Sequence, residues 1–183
     1  MKTLLCVDDN PNDLFLVERA CKNGQVSLLL KTTGSGTAAI RYLSGDGEFA
    51  NRTENPLPDL ILLDLKMPEM DGFEVLRWIR THPATQKIPV ALFSASLIPR
   101  DADKGYTEGA NYFIIKPTAL TTLIEIVRAA DEFLASGSKN DEALTRFSEP
   151  KERGRAEQEA GSSHGAPPMQ PLRSNARSAE TAE

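Results

Sequence analysis

Five times between Leu4 and Leu134 a short apolar run is followed by a stretch whose apolar residues recur at helical spacing. Alternation of strand and helix specifies a parallel sheet, because a parallel connection needs a crossover long enough to hold a helix. Right-handed crossovers then place helices on both faces. The third run, Asp59-Leu60-Ile61-Leu62-Leu63, is apolar at every position after its first, as a strand covered on both sides must be. The predicted class is α/β, a doubly wound parallel sheet of five strands with five helices.

The pattern places the elements. Leu4 to Val7 is the first strand and meets Asp8-Asp9-Asn10-Pro11, with Asn10 as N-cap and Pro11 as first helical residue. Leu14, Val17 and Cys21 form the inner stripe of that helix, and Gly24 is its predicted stop. Val26 to Leu30 reads as the second strand, Thr32 to Thr37 as a Gly/Ser turn and Ala38 to Leu43 as the second helix. Gly72 to Arg80 is the third helix, with Phe73, Leu76 and Ile79 inward. Ile88 to Phe93, Pro99 to Gly109 and Tyr112 to Ile115 supply the fourth strand, fourth helix and fifth strand. Leu120 to Leu134 is the fifth helix, with Leu123, Ile124, Val127, Ala130 and Leu134 facing the core. Gly45 to Pro58 is polar and long for a connection.

With 183 residues the chain holds one ordinary domain and an extension. The domain is predicted over 1–135. Beyond it only Leu144, Phe147, Met169 and Leu172 are sizeable apolar groups, too few to offset the entropy of ordering 136–183, so a disordered tail is expected there. Asp141 to Phe147 is its one candidate for a helical turn, and no effector domain is expected after residue 135. A net charge of -5 without a Lys/Arg cluster argues against a nucleic-acid-binding surface. Cys6 and Cys21 read as buried or half-buried thiols rather than a disulfide framework. There is no signal-peptide pattern and no run of roughly 20 apolar residues, so no membrane partner and a cytoplasmic location are expected.

Ligands of an open parallel sheet bind beyond the carboxyl ends of its strands. Here those ends carry Asp8-Asp9, Asp64, Ser94 and Lys116-Pro117. Carboxylates gathered this way repel one another unless a cation joins them, and Mg²⁺, a hard ion that accepts carboxylate, carbonyl and water oxygens, meets that need. A carboxylate with an oxygen free beside such an ion is a nucleophile toward phosphorus. Ser94 and Lys116 would then hold the oxygens of the transferred group. The set points to phosphoryl transfer onto an aspartate. Singly these residues are ordinary: Asp8-Asp9 would cap a helix, Asp64 would end a strand in a turn, Ser94 would be a loop hydroxyl and Lys116 a solvated charge. His82 and His164 lie in a loop and the tail and are not ligand candidates, and Trp78 reads as packing at a helix edge.

The stretches Val7-Asp8-Asp9-Asn10, Leu63-Asp64-Leu65-Lys66-Met67-Pro68 running into Met70-Asp71-Gly72, Phe93-Ser94-Ala95 and Ile115-Lys116-Pro117 resemble, in order and in spacing, the receiver domain of two-component response regulators. The resemblance covers residues 1 to 135. It implies a flavodoxin-like sheet of strand order 2-1-3-4-5 and a phosphoacceptor signalling domain that catalyses only its own phosphorylation and dephosphorylation. It further implies that Asp64 is phosphorylated, that Asp9 ligates Mg²⁺ directly and Asp8 through water, and that the Lys66 carbonyl is a backbone ligand. Ser94 and Phe113 match the switch pair, and Lys116 matches the lysine before a cis proline, Pro117. Phe113 lacks the hydroxyl of the commoner tyrosine, so a switch there rests on packing, and Lys66 sets a cation beside the acceptor. The implied phosphodonor is a sensor histidine kinase. The opening Asn10-Pro11-Asn12-Asp13 and the long 45–58 loop resemble stand-alone receivers that partner phytochrome-type kinases. Output is expected through a downstream protein or a homodimer formed on the fourth helix, fifth strand and fifth helix.

Two other readings compete. An Mg²⁺-dependent phosphatase with an aspartate nucleophile would need Asp-x-Asp after the first strand, and the position two after Asp8 is Asn10. A receiver-shaped binding module that is never phosphorylated would lack the acidic pair, the acceptor or the lysine, and all three are present.

Overall fold

The computed structural model describes residues 1–137 and 140–151. The part of the expected disordered tail from residue 152 onward, with 138–139, lies outside the described residues. The elements in chain order are β1 (Thr3–Val7), α1 (Pro11–Gly24), β2 (Leu29–Thr33), α2 (Gly36–Ser44), β3 (Leu60–Leu63), α3 (Gly72–Thr81), β4 (Val90–Ser94), α4 (Pro99–Thr107), β5 (Tyr112–Ile115), α5 (Leu120–Ala135) and α6 (Glu142–Thr145). The five strands pair in parallel in the order β2-β1-β3-β4-β5. Strand residues divide by parity between two cores. Leu4, Cys6, Leu62 and Phe93 pack with Val17, Ala20, Val127 and Phe133 of α1 and α5. Leu5, Val7, Leu63, Leu92 and Phe113 pack with Tyr42, Leu76, Ile79 and Ala102 of α2, α3 and α4.

Local chemistry starts and stops the helices. Asn10 caps α1 by accepting from the Asn12 N–H at 3.0 Å, with Pro11 in the first turn. Asp71 and Glu74 form a reciprocal capping box at α3: Asp71 accepts from the Glu74 N–H at 2.8 Å, and Glu74 accepts from the Asp71 N–H at 2.9 Å. The stop of α1 differs from expectation. Gly24 stays helical and buried, and Gln25 takes the left-handed position at φ 54°. Gly24 faces Ile124 and Arg128 of α5, where a Cβ would make ordinary van der Waals contact at 3.6 Å. A side chain at positive φ carries a steric cost of about 1–2 kcal/mol. Gln25→Gly is therefore expected to stabilise the fold by about 0.5–1 kcal/mol after the added chain entropy is subtracted, measured as a raised urea midpoint. An unchanged or lowered midpoint would contradict that reading.

The second strand begins at Leu29 and runs to Thr33, three residues later than the Val26 start expected. It is one of the two edge strands, and four of its five residues are only half-buried, so no apolar alternation marks its register. The 45–58 loop is anchored rather than loose. Arg52 donates to the Tyr42 and Leu43 carbonyls at the end of α2, at 2.8 and 2.6 Å, and Tyr42 donates its hydroxyl to Pro56 O at 2.7 Å.

The packed chain continues past residue 135. Leu144 and Ala143 of α6 are buried in the α1–α5 core, and Phe147 packs beside them. The chain then runs along the free edge of β5. Ser148 bridges Ile114 in antiparallel fashion, its Oγ accepts from the Phe113 N–H at 2.9 Å, and Glu149 N–H donates to Phe113 O at 2.7 Å. Tyr106 of α4 joins Ser148 and Glu149 through its hydroxyl, and Tyr112 donates to Asp141. The fold therefore carries a sixth helix. The segment is held both by burial of Ala143 and Leu144 and by pairing of Ser148 and Glu149 with the exposed strand edge. The Lys116–Pro117 bond is also a correction: no cis peptide bond occurs among the described residues, and trans is the ordinary preference even before proline.

Candidate functional site

Parallel pairing brings the ends of β1, β3, β4 and β5 level. Asp8 N–H donates to Thr33 O at 3.1 Å, Asp64 N–H to Val7 O at 2.9 Å, and Lys116 N–H to Ser94 O at 2.9 Å. At three of these ends the side chain is then held by the backbone two residues on. Asp8 accepts from the Asn10 N–H at 3.0 Å, Asp64 from the Lys66 N–H at 3.0 Å, and Ser94 from the Ser96 N–H at 3.1 Å. These Asx- and Ser-turns fix the strand exits and aim one oxygen of each residue. Asp8, Asp9, Asp64, Lys66, Ser94 and Lys116 line one open cleft of about 240 Å³.

At its centre the Lys116 ammonium lies 2.6 Å from Asp8 Oδ2, 2.9 Å from Asp13 Oδ2 and 3.1 Å from Asp64 Oδ1. Burial would lower the Lys116 pKa, but hydrogen bonds to Asp8 and Asp13 and the charge of Asp64 outweigh it and hold the ammonium above its ordinary value. Asp8 is 1% exposed. Burial pushes its carboxyl above the ordinary 3.8, against the pull of Lys116 and the Asn10 N–H. An under-compensated buried carboxylate is what an added cation would relieve. Asp8, Asp9 and Asp64 each offer an oxygen within 4.8 Å of the others, an all-oxygen donor set that fits a hard divalent cation.

Burial of Asp8 gives a pH dependence with a definite sign. Because its folded pKa is raised, the folded protein keeps a proton that the unfolded chain has lost. The stability contributed by this group is full below the unfolded value and is lost as pH rises through the folded one. That proton must leave before a cation binds. Divalent-cation affinity, measured by calorimetry across a pH series, is expected to fall on acidification from above the ordinary carboxylate range. An affinity that is flat until pH approaches 3.8 would contradict the assignment.

The residues expected at the site are thus together, with one exception of position. Phe113 is 1% exposed and sits in the α2–α3–α4 core behind the cleft. Asp13 was missed. It lies in the first turn of α1, where an acidic residue ordinarily serves the helix dipole, and its lysine partner is 103 positions away. Of the remaining candidates, His82 stacks on Trp78 and its Nδ1 lies 2.7 Å from the Trp78 carbonyl, a local contact at the end of α3. Cys6 and Cys21 are free thiols, buried and half-buried.

The response regulator receiver domain profile matches residues 4–128. Response regulator Rcp1 of Synechocystis sp. is 33% identical over 132 residues, covering 72% of this chain and 88% of that protein. Among solved structures, the phosphorylated cyanobacterial phytochrome response regulator RcpA superposes with a TM-score of 0.66 at 38% identity, covering 74% of this chain and 95% of RcpA. The Mn²⁺-bound form of Rcp1 superposes at 0.64 with 33% identity, covering 73% and 94%. The chemotaxis regulator CheY4 of Vibrio cholerae, at 22% identity and a TM-score of 0.56, shares the fold. The chain belongs to the response regulator receiver family. It is a two-component signalling domain, and phytochrome response regulators are among its relatives. No helix among the described residues is long and apolar enough to cross a membrane.

Proposed function

We propose that Asp64 accepts a phosphoryl group from the phosphohistidine of a sensor histidine kinase, with Mg²⁺ in the acidic cleft. The observation that carries this reading is the shared ammonium of Lys116, which meets both Asp64 and Asp8 at the rim of a three-carboxylate set. An Asp64 oxygen attacks phosphorus, the P–N bond breaks, the imidazole nitrogen keeps the electron pair, and an acyl phosphate results. Lys116 and the Ser94 hydroxyl hold the phosphoryl oxygens. Asp8, Asp9, Asp64 and the Lys66 carbonyl would hold the ion, which supplies charge neutralisation at those oxygens. The chain then acts as a signalling switch in the cytoplasm, without turnover of an external substrate.

Likeness to the phytochrome regulators supports a phytochrome-type kinase as donor. Label should pass from such an autophosphorylated kinase to this chain and not to Asp64→Asn. Retention of all label on the kinase would count against that partner.

Output would pass to a downstream protein through α4, β5 and α5. The β5 edge on that face is already taken by Ser148 and Glu149, leaving α4 and the loop before it, where Leu97 is 75% and Ile98 52% exposed. A homodimer through the same face would use those residues. Sedimentation showing one oligomeric state with and without phosphate would argue against phosphorylation-driven dimerisation.

A further inference from the structure

Lys116 has one partner more than the acceptor chemistry uses. An ammonium has three N–H donors, and three carboxylates surround this one, Asp8 at 2.6 Å, Asp13 at 2.9 Å and Asp64 at 3.1 Å. Asp8 and Asp64 belong to the cation-binding set, and Asp13 does not. Asp13, the third residue of α1, reaches the lysine within the same cleft. Its side chain is 30% exposed, against 2% for Asp8 and 6% for Asp64.

A phosphoryl group on Asp64 brings oxygens that require the ammonium, whose hydrogen bonds at rest go to Asp8 and Asp13, with Asp64 an ion-pair partner at 3.1 Å. Phosphorylation leaves a neutral acyl oxygen on Asp64, so that contact lapses of itself, but the ammonium must still shift from its hydrogen bonds to Asp8 and Asp13 toward the new oxygens. Releasing Asp8 would strand a buried anion, which is costly. Asp13 stands where water can replace the lysine, and half-exposed ion pairs of this sort are weak.

We propose that Asp13 is a positioning residue that clamps Lys116 in the resting site and yields it to the incoming phosphoryl group, thereby setting how readily Asp64 is loaded. The proposal rests on the reading of Asp64 as acceptor. Loss of the clamp leaves one N–H of Lys116 unengaged by carboxylate, so the phosphoryl oxygen displaces only water.

The test compares wild type, Asp13→Asn and Asp13→Glu. Intact-mass time courses with acetyl phosphate at saturating Mg²⁺ are expected to show about two- to fivefold faster loading of Asp13→Asn, the ratio that release of one weak ion pair corresponds to. Asp13→Glu, which can restore the pair, should return toward the wild-type rate. A second readout needs neither metal nor phosphate. NMR of the Lys116 ammonium protons should show slow exchange with water in wild type and Asp13→Glu, and fast exchange in Asp13→Asn. Loading of Asp13→Asn that is unchanged or slower than wild type overturns the proposal. If wild type itself takes no phosphoryl group, the acceptor reading has failed and the ammonium signal decides the clamp alone. Protection lost in Asp13→Asn upholds it, and unchanged protection overturns it.

Discussion

Lys116→Ala is expected to cost the metal-free protein about 3 kcal/mol, the low end of the penalty for stranding a buried charge. Three carboxylates share this ammonium, and Asp8 and Asp64 have side chains only 2% and 6% exposed. Without the lysine they face each other with no compensating charge. Asp13 and the open cleft let water reach part of the cluster, which keeps the cost from running higher. The same loss should make the variant lean on a divalent cation. At a concentration 100 times its dissociation constant, a ligand of the folded state returns about 2.7 kcal/mol. Urea unfolding with and without Mg²⁺ should thus show a large deficit for the metal-free variant that narrows when the ion is added. Phosphoryl loading should fall at the same time, because the group that would pair with the transferred oxygens is gone. A metal-free variant as stable as wild type would show that the ion pairs contribute little.

Gly72→Ala is expected to be comparably damaging, for a steric reason. A Cβ at Gly72 would lie 2.2 Å from the carbonyl oxygen of Asp64 and 2.9 Å from the Cα of Leu65. Both neighbours are backbone, so no rotamer change relieves the clash. The Gly72 N–H also donates to Leu65 O at 3.0 Å, which pins α3 against the loop that leaves the acceptor. Overpacking that must move main chain costs about 3 kcal/mol, or about 6–12 °C in Tm for a chain of this size. Because the displaced atom belongs to Asp64 itself, loading should fall by about tenfold or more, as misplacement of a reacting group does. Gly34→Ala is the control, since nothing lies within 4 Å of a Cβ there. Equal melting temperatures for wild type and Gly72→Ala would contradict the close approach.

Legibility in the sequence followed how strongly each residue's environment constrained it. The central strands were plain because Leu60 to Leu63 are buried on both faces. Asp8, Asp9, Asp64, Ser94 and Lys116 could be assigned to one edge because strand ends are fixed points of the topology. Where constraint was weak, reading failed. The edge strand β2 is half-buried and gave no register, and Val26, a good strand former, drew the start too early. Gly24 reads as a helix stop, but it stays within α1 and Gln25 bears the left-handed turn. Leu144 and Phe147 looked too few to order the chain past 135, because a sequence does not display the open β5 edge that Ser148 and Glu149 pair with. Asp13 enters the sequence reading only within the Asn10-Pro11-Asn12-Asp13 opening, and only the folded chain brings it to Lys116.

The central claim is that Asp64 takes one phosphoryl group with the help of a divalent cation held by Asp8, Asp9 and Asp64. Intact mass after incubation with acetyl phosphate tests it most directly, with and without Mg²⁺ and with Asp64→Asn alongside. A single phosphoryl adduct is expected that requires the ion and is absent from Asp64→Asn. An adduct of equal yield on Asp64→Asn, or one formed equally well after chelation of the metal, would contradict it.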